Sequence, residues 1–228
     1  MAPYDRLRAA LRQHPVLGLL PPAAQDALWR AARPRTVHKG DVLAHQGQVW
    51  PRAAVLVQSS GQWVLLAPSG RRQVVFRLGP GQAVWGHSLF DDGPLPASFE
   101  ITDAGWAFWW PRAVLQPLLT QHPEVLWALN RDIVGWMRRV RDVLYALAFQ
   151  DVMHRVARVL VEHYPDAAGE GPLPRRLTLE EMAALVGTSP EFVCRVLRRL
   201  AEQGLLDIQR RHLIFKDRAG LERLARGE

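Results

Sequence analysis

Apolar residues change their rhythm along this chain. In residues 5–33 they fall at helical spacing. Leu7 and Leu11 lead through Val16 into Leu19-Leu20-Pro21-Pro22, and a second run, Ala23–Ala32, carries Leu28 and Trp29. From Thr36 to about Trp110 the texture becomes short strand-like runs punctuated by turns. Val42–Ala44 precedes His45–Gln48, Ala54–Gln58 precedes Ser59-Ser60-Gly61, Gln62–Ala67 precedes Pro68-Ser69-Gly70, and Gln73–Leu78 precedes Gly79-Pro80-Gly81. Ser98–Thr102 and Trp106–Trp110 follow a loop at Asp91–Pro96. Short strands at regular intervals with Gly/Pro turns predict a β-sandwich or barrel.

After His122-Pro123 a longer period takes over. Leu126, Leu129, Ile133, Trp136, Val140, Val143 and Leu147 step by 3, 4, 3, 4, 3 and 4, with Arg131, Arg138, Arg139 and Arg141 mostly outside the stripe. This predicts a long helix that pairs with another helix. Packing of the same stripe on the chain's own sandwich is the plainer alternative, and both can hold; the length of the seam favours parallel dimerisation. Val152, Val156, Val159, Leu160 and His163 form a further helical stripe, and Pro165–Pro174 is a Gly/Pro-rich loop.

Leu177–Leu206 reads as two short helices joined by a tight turn. Thr178 with Glu181 is a capping-box start, and Met182, Leu185 and Val186 make an apolar stripe. Gly187 breaks the helix; Ser189 is a good N-cap, and Pro190 sits where its missing N–H costs nothing. The second helix has Val193, Val196, Leu197 and Leu200 on one face, with Glu191, Cys194, Arg195 and Arg198 on the other, and ends at Gly204. Such a pair fits a major-groove reader; a surface hairpin with an i,i+4 Glu191–Arg195 ion pair is the alternative. Strand-like Leu206–Ile208 and Leu213–Phe215 then flank Gln209-Arg210-Arg211-His212, a hairpin with an arginine tip suited to phosphate. That wing favours DNA.

Composition bounds the picture. The 228 residues suit one or two domains, and 48% hydrophobic with 22% charged residues is ordinary globular usage. No long apolar run predicts a membrane span, and the N-terminus lacks an apolar signal core. One cysteine excludes an intrachain disulfide and a four-cysteine metal site, and fits a reducing cytoplasm. The net charge of +7 favours a polyanionic partner. Yet residues 151–228 hold 13 Lys+Arg against 12 Asp+Glu, a net +1, which leaves +6 for residues 1–150. A DNA-binding role therefore rests on the local placement of Arg195, Arg198, Arg199, Arg210, Arg211 and Lys216. No nucleophile elbow, P-loop, zinc spacing or paired carboxylates in a pocket-like context appear, and Asp91-Asp92 lies on a turn, so the chain is not read as an enzyme.

LTLEEMAALVGTSPEFVCRVLRRLAEQGLL and the wing resemble the CRP/FNR family of bacterial transcription regulators. KGDVLAHQGQ, SSGQWVLL and the GPGQ turn resemble corners of that family's cyclic-nucleotide-binding jelly roll, and Ala146–Val152 resembles its hinge. The resemblance implies an α+β fold: an N-terminal β jelly-roll sensor domain over 1–120, a long dimerisation helix over 121–150, and a C-terminal winged helix-turn-helix domain over 151–228. It also implies a cytoplasmic homodimer on a pseudo-palindromic DNA site, with RNA polymerase as a further partner. Family members contact bases from the second helix through a Ser-Arg-Glu-Thr-Val turn. Here the turn is Ser189-Pro190-Glu191-Phe192-Val193, then Arg195. Glu191 suits a cytosine amino group and Arg195 guanine O6/N7, while Thr188, Ser189, Arg198, Arg199, Arg210 and Arg211 suit phosphates. Pro190 replaces the first arginine, so the half-site should differ from the usual one. Cys194 reads as a small filler beside the groove, with a redox switch as the alternative.

The sensor cassette departs from the pattern. Members that bind cyclic AMP have a Gly-Glu-Leu start, whose glutamate takes the ribose hydroxyl, and an Arg-Ser-Ala end, whose arginine neutralises the phosphate. In WGHSLFDDGPLPAS, Gly86 matches, His87 replaces the glutamate, and Pro96 or Leu95 replaces the arginine. A phosphate buried there without its cation would cost several kcal/mol. The resemblance with this departure implies that cyclic AMP is not bound in the usual way, although Arg71 or Arg72 could substitute from a predicted turn. Trp85, Gly86, His87, Ser88 and Pro96 thus mark a degenerate effector pocket, with a different small ligand or none. The other reading is a haem-based gas sensor. His87 aligns with the haem-ligating histidine of the carbon-monoxide-sensing members, whose Cys-Met-His-Ser stretch is Trp85-Gly86-His87-Ser88 here. Their second ligand is an N-terminal proline, and here Pro3 follows Ala2. Trp85, Trp106, Trp109 and Trp110 read as core, or as filling the old pocket.

Overall fold

The computed structural model describes residues 2–165 and 171–227. The chain divides into two compact units, Met1–Leu65 with Val75–Val140, and Leu66–Val74 with Arg141–Glu228.

The first unit starts with α1 (Pro3–Gln13) and, after a 3-10 turn, α2 (Pro22–Ala31). The strands follow: β1 (Arg33–Val37), β2 (Val42–Ala44), β3 (Arg52–Val57), β4 (Ser60–Leu66), β5 (Arg72–Leu78) and β6 (Ala83–Trp85). Next come α3 (Ser88–Asp91), β7 (Ser98–Asp103), β8 (Gly105–Pro111), α4 (Arg112–Gln121) and α5 (Pro123–Phe149), whose residues from Arg141 onward are grouped with the second unit. Two four-stranded sheets form, ordered β1-β8-β3-β6 and β2-β7-β4-β5. The first is covered on both faces. Ala54, Leu56 and Ala107 point into the core between the sheets. Ala53, Val55, Val57, Phe108 and Trp110 point the other way, onto Leu7, Leu11, Leu28, Leu115 and Leu119 of the helices. This double burial is why β3 is apolar without alternation. The edge strand β1 starts earlier than the pattern suggests, because Arg33, Pro34, Arg35 and Thr36 are exposed and carry no apolar signal. β6, α3 and α4 were not legible either; the first two have only 3 and 4 residues, and α4 carries Pro117 in its interior.

The heptad reading of α5 needs correction. Leu129 and Trp136 are buried in the helix-side core, and Leu126 and Ile133 pack against it. These four expected seam residues are held by the chain's own sandwich. Val140 and Leu147 are exposed and Val143 is half-buried. The exposed apolar positions are instead Trp127, Val134, Met137, Val140, Leu144, Tyr145, Leu147 and Phe149. Trp127, Val134, Met137 and Leu144 form a stripe displaced by one residue, about 100° around the helix, from the expected one.

The second unit holds α6 (Val152–His163), β9 (Leu173–Pro174), α7 (Leu179–Val186), α8 (Pro190–Glu202), β10 (Leu206–Ile208), β11 (His212–Phe215) and α9 (Arg218–Arg226). Its core gathers Val156, Leu160, Tyr164, Met182, Val193, Leu197, Leu200, Leu213, Phe215 and Leu221. Of the expected loop Pro165–Pro174, residues 166–170 lie outside the described residues, and Leu173–Pro174 is a strand paired with β11 rather than loop. α9 went unread although its start is local: the Asp217 carboxylate accepts the Gly220 N–H at 2.7 Å. Buried Arg155 ties three segments. Its Nε donates to the Val186 carbonyl at 2.9 Å, and its Nη1 to the carbonyls of Ala146 at 3.1 Å and Gln150 at 2.5 Å. Those carbonyls end α7 and α5, where the helix dipole is negative.

Candidate nucleic-acid interface and effector cavity

The helix pair is built by its caps. Thr178 Oγ1 accepts the Glu181 N–H at 3.1 Å, and Glu181 Oε2 accepts the Thr178 N–H at 2.9 Å. Gly187 closes α7 at φ 78°, with its N–H on the Ala183 carbonyl at 2.8 Å. A Cβ there would meet Gln73 Oε1 and Leu147 Cδ2. Ser189 Oγ accepts the Phe192 N–H at 3.3 Å and starts α8.

Along α8, Val193, Val196, Leu197 and Leu200 are buried, whereas Glu191, Arg195, Arg198 and Arg199 are exposed. At about 100° per residue, Glu191, Arg195 and Arg198 share an arc of roughly 60° opposite the buried face. Thr188, Ser189 and Cys194 are half-buried beside it. The Ser189 hydroxyl, then the backbone N–H of Glu191 and the Arg195 charge, hold the Glu191 carboxyl below its usual range. Glu191 is therefore an acceptor at neutral pH. The Arg195 guanidinium lies 4.8 Å from the ring centroid of Phe192, a partner that sequence reasoning passed over. In the wing, Leu206 pairs with Phe215 and Ile208 with Leu213, leaving Arg210 and Arg211 exposed at the tip. The Arg175 N–H donates to the Arg211 carbonyl at 2.9 Å and braces that tip.

The first unit holds a cavity of about 350 Å³, lined by Trp63, Leu65, Val75, Phe76, Pro96, Ala97 and His87, with Ile133, Trp136, Met137 and Val140 of α5. His87 and Pro96 stand on its wall as expected; Trp85, Gly86 and Ser88 do not. Trp85 turns into the helix-side core and donates its indole N–H to Asp132 at 3.2 Å. Ser88 Oγ accepts the Trp50 N–H at 2.9 Å and donates to the Gly93 carbonyl. Gly86 is where the chain passes the Trp50 backbone so closely that a Cβ would strike the Trp50 carbonyl oxygen. Of the two readings of Trp85, Trp106, Trp109 and Trp110, core packing holds: Trp85 and Trp110 are buried in the helix-side core, Trp106 packs against it, Trp109 packs against the core between the sheets, and none of the four lines the cavity. Arg112, unread in the sequence, fastens α3 by donating to the carbonyls of Ser88 and Leu89 and to the Asp92 carboxylate.

No lining residue is Lys or Arg. Arg139 stacks over Phe76 at 5.7 Å without lining the cavity, and Arg71 and Arg72 belong to the hairpin tip grouped with the second unit. The lining thus does not fit the phosphate of a cyclic nucleotide. Among the described residues no cluster of three His, Cys, Asp or Glu side chains could hold a metal ion, and no helix is long and apolar enough to cross a membrane.

Residues 154–224 match the family model of the Crp-like helix-turn-helix domain. The cyclic AMP receptor protein of Thermus thermophilus is 30% identical over 212 residues, 92% of this chain and 95% of that protein. A CRP-like cAMP-activated global transcriptional regulator of Mycobacterium tuberculosis is 28% identical over 209 residues, 90% of this chain and 93% of that one. Among solved structures, the c-di-GMP responsive global regulator CLP of Xanthomonas campestris shares the fold at TM-score 0.73 and 20% identity, covering 85% of this chain and 98% of that one. With the jelly roll, the capped helix pair and the wing in place, the chain belongs to the CRP/FNR family of transcription regulators.

Proposed function

We propose that the chain acts as a homodimer that reads a pseudo-palindromic DNA site in the cytoplasm and does so without cyclic AMP. The observation that carries the DNA reading is the exposed arc of α8, where Glu191 and Arg195 stand side by side behind the Ser189 cap. Arg195 can give two hydrogen bonds to a guanine edge, worth roughly 1–3 kcal/mol against a wrong base. Pro190 has no donor, so one customary contact is missing and the half-site differs from that of the cAMP-activated relatives. Thr188, Ser189, Arg198, Arg199, Arg210 and Arg211 serve the phosphates.

The exposed stripe of α5 supports the dimer, because a run of Trp127, Val134, Met137 and Leu144 is costly to leave in water. The two α8 helices of such a dimer would read half-sites about 34 Å apart, one DNA turn. RNA polymerase is the further partner expected of the family. Independence from cyclic AMP rests on the cationless lining of the cavity. Haem has His87 on the wall in its favour. The rest of the set does not fit: the Pro3 nitrogen is in peptide linkage to Ala2 at the start of α1, and Trp85 occupies the cysteine position inside a different core.

Selection of bound DNA from random sequence, with ligand-free protein, tests this reading. A palindromic consensus is expected. Enrichment only after cyclic AMP is added would overturn the independence from cyclic AMP, and a Soret band in the purified protein would restore haem.

A further inference from the structure

We propose that the cavity beside His87 binds a neutral, largely apolar small molecule carrying one hydrogen-bond-accepting oxygen, to which the indole N–H of Trp63 donates. The proposal rests on reading this cavity as the effector site.

Two independent observations meet here. The first is an orphan donor. Trp63 is 2% exposed, forms part of the cavity wall, and its Nε1 is the one buried side-chain nitrogen or oxygen among the described residues without a hydrogen-bond partner. Other tryptophans are served: Trp85 donates to Asp132, Trp110 to the Leu28 carbonyl at 2.7 Å, and Trp29 to the Tyr4 carbonyl at 3.0 Å. Buried N–H groups are nearly always paired, so an unpaired one on a cavity wall calls for an acceptor from outside the chain.

The second observation is the charge of the wall. His87 is its one ionisable residue, so neither an anion nor a cation finds an opposite charge. Burial lowers the His87 pKa against a smaller opposing effect of Asp91, which keeps the ring neutral at pH 7. Phe76 and Trp136, with centroids 5.4 Å apart, offer flat aromatic surface, and the volume of about 350 Å³ suits a compact ligand. Met137 and Val140 belong both to this wall and to the exposed face of α5. A second copy paired there would touch two residues of the wall, which would couple occupancy to pairing.

The test uses full-length dimer without DNA. N-Phenyl-1-naphthylamine is the fluorescent probe, and 2-acetylnaphthalene, 2-ethylnaphthalene and cyclic AMP compete with it. Saturable probe binding is expected, with displacement by both naphthalenes and not by cyclic AMP. Trp63→Phe should weaken the ketone relative to the hydrocarbon by about five- to tenfold, the worth of one hydrogen bond. If that variant misfolds, 15N-labelled indole signals of the wild type decide: the ketone moves the Trp63 N–H resonance downfield and the hydrocarbon does not. An unchanged ratio or resonance, displacement by cyclic AMP, or no saturable binding because the partner's side chains fill the space would each overturn the proposal. These measurements involve no DNA, so their failure is distinct from a failure of operator selection.

Discussion

On the proposed DNA reading, Arg195 is the residue on which sequence choice turns. It is exposed on α8, supported by the Phe192 ring, and beside an ionised Glu191. Arg195→Ala should lower discrimination at one base pair of each half-site by roughly 1–3 kcal/mol. Arg210→Ala should weaken all sequences alike and reduce the salt slope by about 0.9 for each phosphate it no longer neutralises. Binding curves on matched and mismatched sites at several salt concentrations separate the two; the reverse pattern would mean the roles are exchanged. At Gly187 the backbone is left-handed, and the nearest obstacles to a side chain are the ends of Gln73 and Leu147, which can move. Gly187→Ala should therefore cost about 1–2 kcal/mol from φ alone, read by denaturant melting. These positions were legible in the sequence because caps and αL breaks are decided within a few residues. Trp63 and Arg155 were not, since an orphan N–H and a clamp on three carbonyls exist only once distant segments meet.

At the scale of elements, α5 carries two interleaved stripes one residue apart. A heptad count identifies a helix with a seam, and here it found the stripe that the sandwich holds through Leu129 and Trp136. It could not single out the exposed stripe, because a rotation of about 100° changes what a residue touches without changing the period. Two substitutions distinguish the faces. Leu129→Ala should destabilise the fold by about 2–4 kcal/mol through reduced burial and a cavity. Leu144→Glu, on a residue 65% exposed, should leave protomer stability within about 0.5 kcal/mol yet shift the mass in sedimentation from dimer to monomer. A Leu144→Glu protein that remains dimeric would move the interface off α5. The strands were readable where turns bound apolar runs, and β1 escaped because it is an edge with a polar exterior.

Over the whole molecule, the cores of the two units share no residues, and acid should act on the first unit. His14 is 5% exposed in the first unit, and its Nδ1 accepts the N–H groups of Val16 at 3.0 Å and Leu17 at 3.1 Å. Burial lowers its pKa from 6.5 to about 4. A proton on Nδ1 would also face those two donors. The folded chain binds this proton less readily than the unfolded one. The stability it represents, about 3 kcal/mol, is complete above pH 6.5 and is lost as pH falls toward 4. His87, lowered by burial, has the same sign. Asp132, raised by burial, has the opposite sign, its stabilisation being lost as pH rises through its folded pKa. His14→Asn retains an acceptor near Nδ1 and cannot titrate. Calorimetry between pH 7.5 and 5 should show the first unit's transition falling in the wild type and falling much less in His14→Asn. Among the described residues no histidine of the second unit is buried, and that unit should hold its transition across that range. Equal slopes in the two proteins would place the acid sensitivity elsewhere.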